Sequence, residues 1–412
     1  MVSTSRGVVV ARPMTPAPRS QAARFLVAVG ISFYGDWLTT VALVVLLYRT
    51  TGSATAPALY IVARVAPRVF GPAPGGALAD RFGAARIAAA CSFLQAAFTG
   101  LIVVFAHSRV VWAIYVAVAC AQFLNSLAQP AYGALIPQVT SERQLGRVNG
   151  IYSTLFSSSI LVSPAIGALL LPRVAPELLI AVDAATFLVA ALILITVRTR
   201  VAPVPGSSRR GVSIGLPVVM RDGMLRSFAA ASLGNPAVIT ALQAVLVVAA
   251  SQRFGHDTDV GWLYAAVGAG GIVGGLSFLR PTPSRIGRRA IVVATFIELG
   301  PVVVFVFAPN VVLAGVLLFL SSLGGVLYQV RGSIGLQQRV PTELLGRVNA
   351  VIRSGMYIGM LIGAVTAAAL VQPLGWQATV LIVAAAAFAF LVVASLVQPR
   401  RRFQHPAELI PD

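Results

Sequence analysis

Four ionisable side chains, Asp36, Arg64, Arg68 and Glu298, stand inside long apolar stretches of this sequence. A charge at such a position costs about 2.5 to 3.5 kcal/mol on membrane-insertion scales, so each is a candidate for holding a proton, an ion or a substrate. Ser32, Asp36 and Thr39 or Thr40 recur at helical spacing and give the first apolar run one polar face. Arg64 and Arg68, four residues apart, share a face of the second run. Counted from a turn at Gly52, Asp36 lies sixteen residues before and Arg68 sixteen after, which puts them at similar depth and allows an ion pair. Two readings of Asp36 stand, a coupling or substrate-binding acid and one half of a structural pair. Arg64 and Arg68 divide in the same way between structure and substrate. Glu298 reads as a proton-binding acid or as a structural acid held by local hydrogen bonds, and Asp183 as an interfacial cap at the outer end of the sixth run.

Uncharged polar residues extend the pattern. Gln122, Asn125 or Ser126, and Gln129 follow helical spacing in the fourth run, Asn235 and Gln243 lie eight apart in the seventh, and Ser322 and Gln329 occupy the tenth. Each could join two helices by a hydrogen bond worth about 0.6 kcal/mol, but stripes on four separate runs favour the wall of a cavity. Because most of the remaining positions in these runs are Ala, Val and Leu, such a cavity suits an amphipathic or hydrophobic compound better than a sugar or a phosphate.

Other chemistries find no footing. The sequence has no HExxH, nucleophile elbow, Walker loop or dinucleotide fingerprint, and its histidines are only His107, His256 and His405. Cys91 and Cys120 both fall inside apolar runs, so neither a disulfide framework nor a cysteine metal site is expected. No catalytic residue, metal or cofactor is anticipated, the chain does not read as an enzyme, and any uphill work would draw on an ion gradient and not on ATP.

The elements that must carry these residues follow from composition. Of 412 residues 58% are hydrophobic and 10% charged, against about 25% charged in an ordinary globular domain. The mean hydropathy is +0.87. A soluble enzyme, a disordered chain and a secreted disulfide scaffold are excluded, leaving an all-α membrane protein that crosses the bilayer many times. Runs of about 20 apolar residues, the length that spans the hydrocarbon, occur at 25–48, 56–77, 85–106, 110–133, 147–171, 177–197, 226–250, 260–280, 290–308, 310–331, 347–371 and 376–397. Twelve transmembrane helices are therefore predicted. The first run is too long for a signal-peptide core and contains Asp36, so it is read as a span and not a cleaved leader.

The formal charge of +19 comes from 31 basic residues, all arginine. Sorted by loop, 24 of them fall on one side of the predicted membrane and only Arg49, Arg109, Arg173 and Arg253 on the other. Basic residues accumulate in cytoplasmic loops. This distribution places both termini in the cytoplasm and requires no nucleic-acid partner.

The chain also repeats itself. Leu145-Gly146-Arg147-Val148-Asn149 returns as Leu345-Gly346-Arg347-Val348-Asn349, with Gln129 matching Gln329 and Gln138 matching Gln338 at the same offset of 200. Each copy opens the fifth run of its half. The organisation is a tail (1–24), a six-helix bundle (25–197), a linker (198–225), a second six-helix bundle (226–397) and a tail (398–412). Six is even, so the halves are parallel pseudo-repeats, as in transporters that bind between halves.

Between the second and third runs stands Gly76-Ala77-Leu78-Ala79-Asp80-Arg81-Phe82-Gly83, followed by Arg86. It resembles the signature loop of the major facilitator superfamily, G-x-L-a-D-R-x-G-R-R. The second half keeps Arg285-Ile286-Gly287-Arg288-Arg289, with Ser284 where the acid would be. Gly83 and Gly287 suit a turn of positive φ, and Gly76 suits close helix approach. The resemblance covers the whole chain and is nearest to exporters of the enterobactin-exporter and macrolide-efflux kind, through Gly35-Asp36-Trp37 to Thr51-Gly52-Ser53-Ala54 and Pro137-Gln138 to Asn149.

It implies a major facilitator fold with spans one, four, seven and ten at the centre. Spans three, six, nine and twelve lie outside, so Glu298 is not expected to line the cavity. It also implies that Asp80 meets the start of span eleven, at Gly346, in one conformational state. The sequence departs from drug/proton antiporters in lacking an arginine in span four and in keeping only Ser163-Pro164, then Gly167, of the span-five motif. The expected function is export of a small drug-, antibiotic- or siderophore-like molecule from a bacterial cell across its inner membrane, by proton antiport and as a monomer in the bilayer. The competing readings are a proton-coupled symporter or facilitator and a transport-inactive membrane sensor.

Overall fold

In a computed structural model the described residues are 19–198, 211–276 and 286–396, and they form helices joined by short turns, without a strand. The N-terminal half comprises α1 (Arg19–Thr51), α2 (Thr55–Val65), a 3₁₀ turn (Ala66–Val69), α3 (Pro72–Phe82), α4 (Ala84–His107), α5 (Val111–Val139), α6 (Glu142–Leu170) and α7 (Pro176–Ile195). The C-terminal half comprises α8 (Gly211–Arg221), α9 (Gly223–Ala249) with a π-turn at Ala250–Phe254, α10 (Asp259–Leu276), α11 (Arg288–Phe305), α12 (Val311–Gln337) and α13 (Thr342–Leu396). Helix starts are written locally. Asp222 caps α9 by accepting from the Met224 and Leu225 amides at 2.8 Å, and Asn310 caps α12 through the Leu313 amide at 2.9 Å.

Nine helices among the described residues are long and apolar enough to cross a membrane, fewer than the twelve predicted runs. The difference has three local causes. The second run is divided into α2 and α3 around the 3₁₀ turn, where Pro67 cannot donate a helical hydrogen bond. Helix α11 carries Arg288, Arg289 and Glu298 within 18 residues. The eleventh and twelfth runs are continuous in α13 apart from Gly375, whose φ of 78° reverses the chain in a conformation that favours glycine. Residues 1–18 of the first tail, 199–210 of the linker and the whole second tail lie outside the described residues, whereas α1 already begins within the first tail at Arg19 and α8 lies within the linker.

The halves meet at one end and part at the other. A single buried cluster joins Val41–Leu47 of α1, Ile114 and Val118 of α5, Val238–Ala249 of α9 and Leu263 and Tyr264 of α10. At the opposite end the core is two separate clusters. One holds Phe25, Ala88, Leu135 and Val148 of the N-terminal half, the other Leu225, Ile291, Leu336 and Val348 of the C-terminal half. Across the joined region α6 lies on α10, and α2 on α9 and α13. Glycines permit the α6–α10 approach, since a Cβ on Gly261 would strike Ala168 and the Pro164 carbonyl and one on Gly268 would strike the Leu161 backbone.

Candidate functional site: a buried ion network and a polar-walled cavity

Asp36 lies midway along α1 and Arg64 in the last turn of α2, and the two form the buried ion pair of the N-terminal half, with Nη2 to Oδ2 at 2.7 Å. Gln122 of α5 completes the network. Its Nε2 donates to the other Asp36 oxygen at 3.0 Å, while its Oε1 accepts from Arg68 Nε at 3.1 Å and Nη2 at 2.5 Å. The pair that sequence spacing allowed between Asp36 and Arg68 is therefore made by Arg64, and Arg68 reaches Asp36 only through an amide. Because α2 ends at Val65, Arg68 sits in a 3₁₀ turn, which rises about 2.0 Å per residue instead of 1.5 Å and rotates it off the Arg64 face. The Arg64 guanidinium stacks on Trp37, 5.0 Å from the ring centroid. Trp37 in turn packs edge-on against Tyr264 of the other half at 6.0 Å.

Other expected lining residues of this half turn inward or sideways. Thr40 donates to the Asp36 carbonyl at 2.6 Å, and Ser32 and Thr39 are buried. Ser126 donates to the Phe123 carbonyl at 2.7 Å and fills the space that a side chain on Gly71 would need. Gln129 faces Asn125 along the exposed side of α5 at 3.4 Å.

The C-terminal half holds a cavity of about 480 Å³. Asn235 and Gln243 of α9, Ser322 and Gln329 of α12 and Glu298 of α11 line it, together with Tyr264, Met356 and Met360. Glu298 thus reaches the cavity from a helix expected to lie outside the bundle. Gly324 and Gly325 explain how, since the first lets α12 ride on the Ile297–Glu298 backbone and the second leaves room for the carboxylate itself. Asn235 donates to Glu298 and lies 3.5 Å from Thr295 Oγ1. Ser232 and Tyr328 share a hydrogen bond of 2.6 Å in the same wall.

Asp183, expected at the interface, is fully buried in α7 and packs on Gly35. The Gly35-Asp36 dipeptide was the available signal, a residue without a side chain beside an intramembrane acid.

The glycine-and-arginine loops lie at the parted end. Gly83 adopts φ 91° between α3 and α4 as expected, whereas Gly287 is extended at φ −94° and only precedes α11. Close approach falls to Gly75, against the Leu127 backbone, and not to Gly76, which has space. Asp80 is exposed and makes no ion pair among the described residues. Arg81 lies over Phe82, Arg86 and Arg289 are exposed, and Arg288 donates to the Ser395 carbonyl at 2.7 Å. Arg285 lies outside the described residues. At the joined end, Arg49 and Asp257 form a two-point ion pair of 2.5 and 2.8 Å between halves.

The sequence profile described as Major Facilitator Superfamily matches residues 25–328 and 281–409. The chain belongs to the major facilitator superfamily. It is a multi-pass membrane transporter and not an enzyme. Among curated proteins it is similar to the multidrug efflux pump Tap of Mycobacterium tuberculosis, 26% identical over 390 residues that cover 90% of this chain and 92% of that protein. The Tap pump of Mycolicibacterium fortuitum is 26% identical over 386 residues, covering 89% and 93%. Among solved structures, an inward-facing bacterial homologue of the iron transporter ferroportin superposes with a TM-score of 0.70 at 16% identity, covering 91% of this chain and 98% of that one. The nucleoside transporter NupG gives 0.68 at 13%, covering 91% and 98%. These two likenesses speak to the major facilitator fold alone.

Proposed function

We propose that this facilitator exports small amphipathic or hydrophobic molecules, of a drug, antibiotic or siderophore-like kind, across the bacterial inner membrane in exchange for protons. The observation that carries the reading is the asymmetric contact between halves, sealed by a common core and Arg49–Asp257 at one end and divided at the other. The cavity runs between those ends, from Leu246 and Tyr264 to Ser333 and Asn349. Alternating access needs such a pair of gates, one shut while the other admits substrate.

Orientation rests on the arginine distribution, which puts both termini and the parted end in the cytoplasm, so the conformation described is open inward. Taking α2 with α3 as one crossing, and dividing α13 at Gly375, gives twelve crossings. Export is supported by the Tap relatives, which are multidrug efflux pumps. Exchange for protons is supported by Glu298, an acid in the cavity wall whose neighbour is an amide. A substrate cation or a proton can each neutralise it, and competition between the two is the simplest form of antiport. The protein works as a monomer in the bilayer.

The test is efflux of a compound panel in everted vesicles, with and without a protonophore. Accumulation that the protonophore abolishes supports the reading. Accumulation indifferent to it, or driven only by an inwardly directed proton gradient, overturns antiport.

A further inference from the structure

Asp183 is the one acid inside an apolar helix that the network above leaves unused. It is the eighth residue of α7 and 1% exposed. Its Oδ1 accepts from the Thr186 hydroxyl at 3.1 Å, and the same hydroxyl lies 2.8 Å from the Asp183 carbonyl, so one proton serves two acceptors. Among the described residues no arginine or histidine stands within ion-pair distance of it. Helix α7 meets α1 at Gly35, where a Cβ would fall on Asp183 Oδ1 and Thr186 Oγ1. The next residue of α1 is Asp36. Two intramembrane carboxylates thus flank the same stretch of backbone, one with an arginine and a glutamine, the other with a shared hydroxyl.

Arg64 has capacity to spare. Its Nη2 serves Asp36, while its Nε is buried without a hydrogen-bond partner. Asp36 from α1 and Arg64 from α2 are the charged groups near enough to act on the Asp183 carboxyl. Helix α4, also packed on α7, brings the Cys91 thiol as its buried ionisable group.

We propose that Asp183 is a proton-binding site of the transport cycle, and that the proton it holds decides whether Arg64 belongs to Asp36 alone. With the carboxyl O–H intact, the Thr186 hydroxyl, the buried Thr39 hydroxyl beside it and apolar walls are sufficient company and Arg64 stays with Asp36. When that O–H bond breaks and the proton passes to water, the new carboxylate lacks a cation. The unoccupied Nε of Arg64 is the nearest remedy. Sharing Arg64 pulls the end of α2 towards α7, and α2 packs on α9 and α13 of the other half. Proton loss is thereby felt at the contact between halves.

This inference rests on the antiport reading, and its test separates the two. The full chain in proteoliposomes is given ethidium as the probe, first with a proton gradient and then as counterflow without one. A wild-type protein indifferent to the gradient overturns antiport and the inference together. If the wild type responds, D183N should lower gradient-driven uptake by about tenfold, within the usual span of a coupling free energy, and leave counterflow intact. Driven uptake at the wild-type rate in D183N overturns the inference alone. Infrared spectra of wild-type protein labelled with carbon-13 aspartate provide an arm independent of transport and of the variant's folding. A protonated-carboxyl stretch that moves in Thr186→Val supports the site, and absence of a protonated aspartate overturns it.

Discussion

Arg49 at the end of α1 and Asp257 after α9, 208 residues apart, hold the halves together through two parallel hydrogen bonds of 2.5 and 2.8 Å. The pair is partly exposed, with side-chain accessibilities of 43% and 18%, so its worth is that of a surface pair, about 0.2 to 1 kcal/mol. Asp257→Asn should therefore shift the balance between open and closed forms of this gate by about two- to fivefold without unfolding the protein. Spin labels at Thr51 and His256 would read a larger population of long distances. Raised salt should mimic the variant, and exchanging the two charges should reverse it.

Asp36 and Arg64 form a different kind of pair. Removing one partner strands a charge in the interior, at a cost of about 3 to 5 kcal/mol. Asp36→Asn should lower the melting temperature in detergent markedly, and Arg64→Gln added to it should restore much of the loss. Arg68→Gln should be milder, since Arg68 is held by the Gln122 amide and not by a carboxylate. Equal losses for Arg64→Gln and Arg68→Gln would contradict the network.

Glu298→Gln keeps the shape and an acceptor for Asn235 while removing ionisation. Wild-type binding of a cationic probe should strengthen as pH rises, because the proton and the probe compete for one carboxylate. In the variant that dependence should flatten and affinity should fall by about tenfold, the loss expected of one charge-assisted contact. Isothermal titration at several pH values would check both.

Gly268 tests the α6–α10 contact. A leucine there cannot coexist with the Leu161 backbone, so Gly268→Leu should hold the halves apart at the joined end. Transport should fall by about tenfold or more while each half stays folded, since overpacking costs of about 1 to 3 kcal/mol fall on the interface and not on either core. Near-normal efflux would argue that the contact is not part of the cycle.

Much of this was legible in the residues. The apolar runs, the repeat and the Asp80 loop announced a facilitator because length, period and turn chemistry are local properties. What escaped depends on how helices bend and touch. The Asp36–Arg68 register assumed an unbroken α-helix through Pro67. Nothing in the sequence of α11 reveals that Gly324 and Gly325, on another helix, bring the Glu298 carboxylate through to the cavity. Asp183 passed for an interfacial residue because its depth is set by where α7 meets Gly35, a contact between positions nearly 150 residues apart in sequence. Gly287 shared a motif with Gly83 but not its backbone conformation, since only the first joins two helices directly.

The absence of lysine from the sequence carries a last consequence. A guanidinium does not release its proton in a protein, so Arg64, Arg68 and Arg353 contribute the same fixed charge at every stage of transport. The histidines fall outside the apolar runs. Apart from Glu177, at the very start of the sixth run, the acids within those runs are Asp36, Asp183 and Glu298, and they alone can change the charge of the membrane interior at neutral pH. Proton traffic is thereby limited to whole-number steps on three carboxylates, a ceiling of three protons per turnover that a measured stoichiometry can be held against.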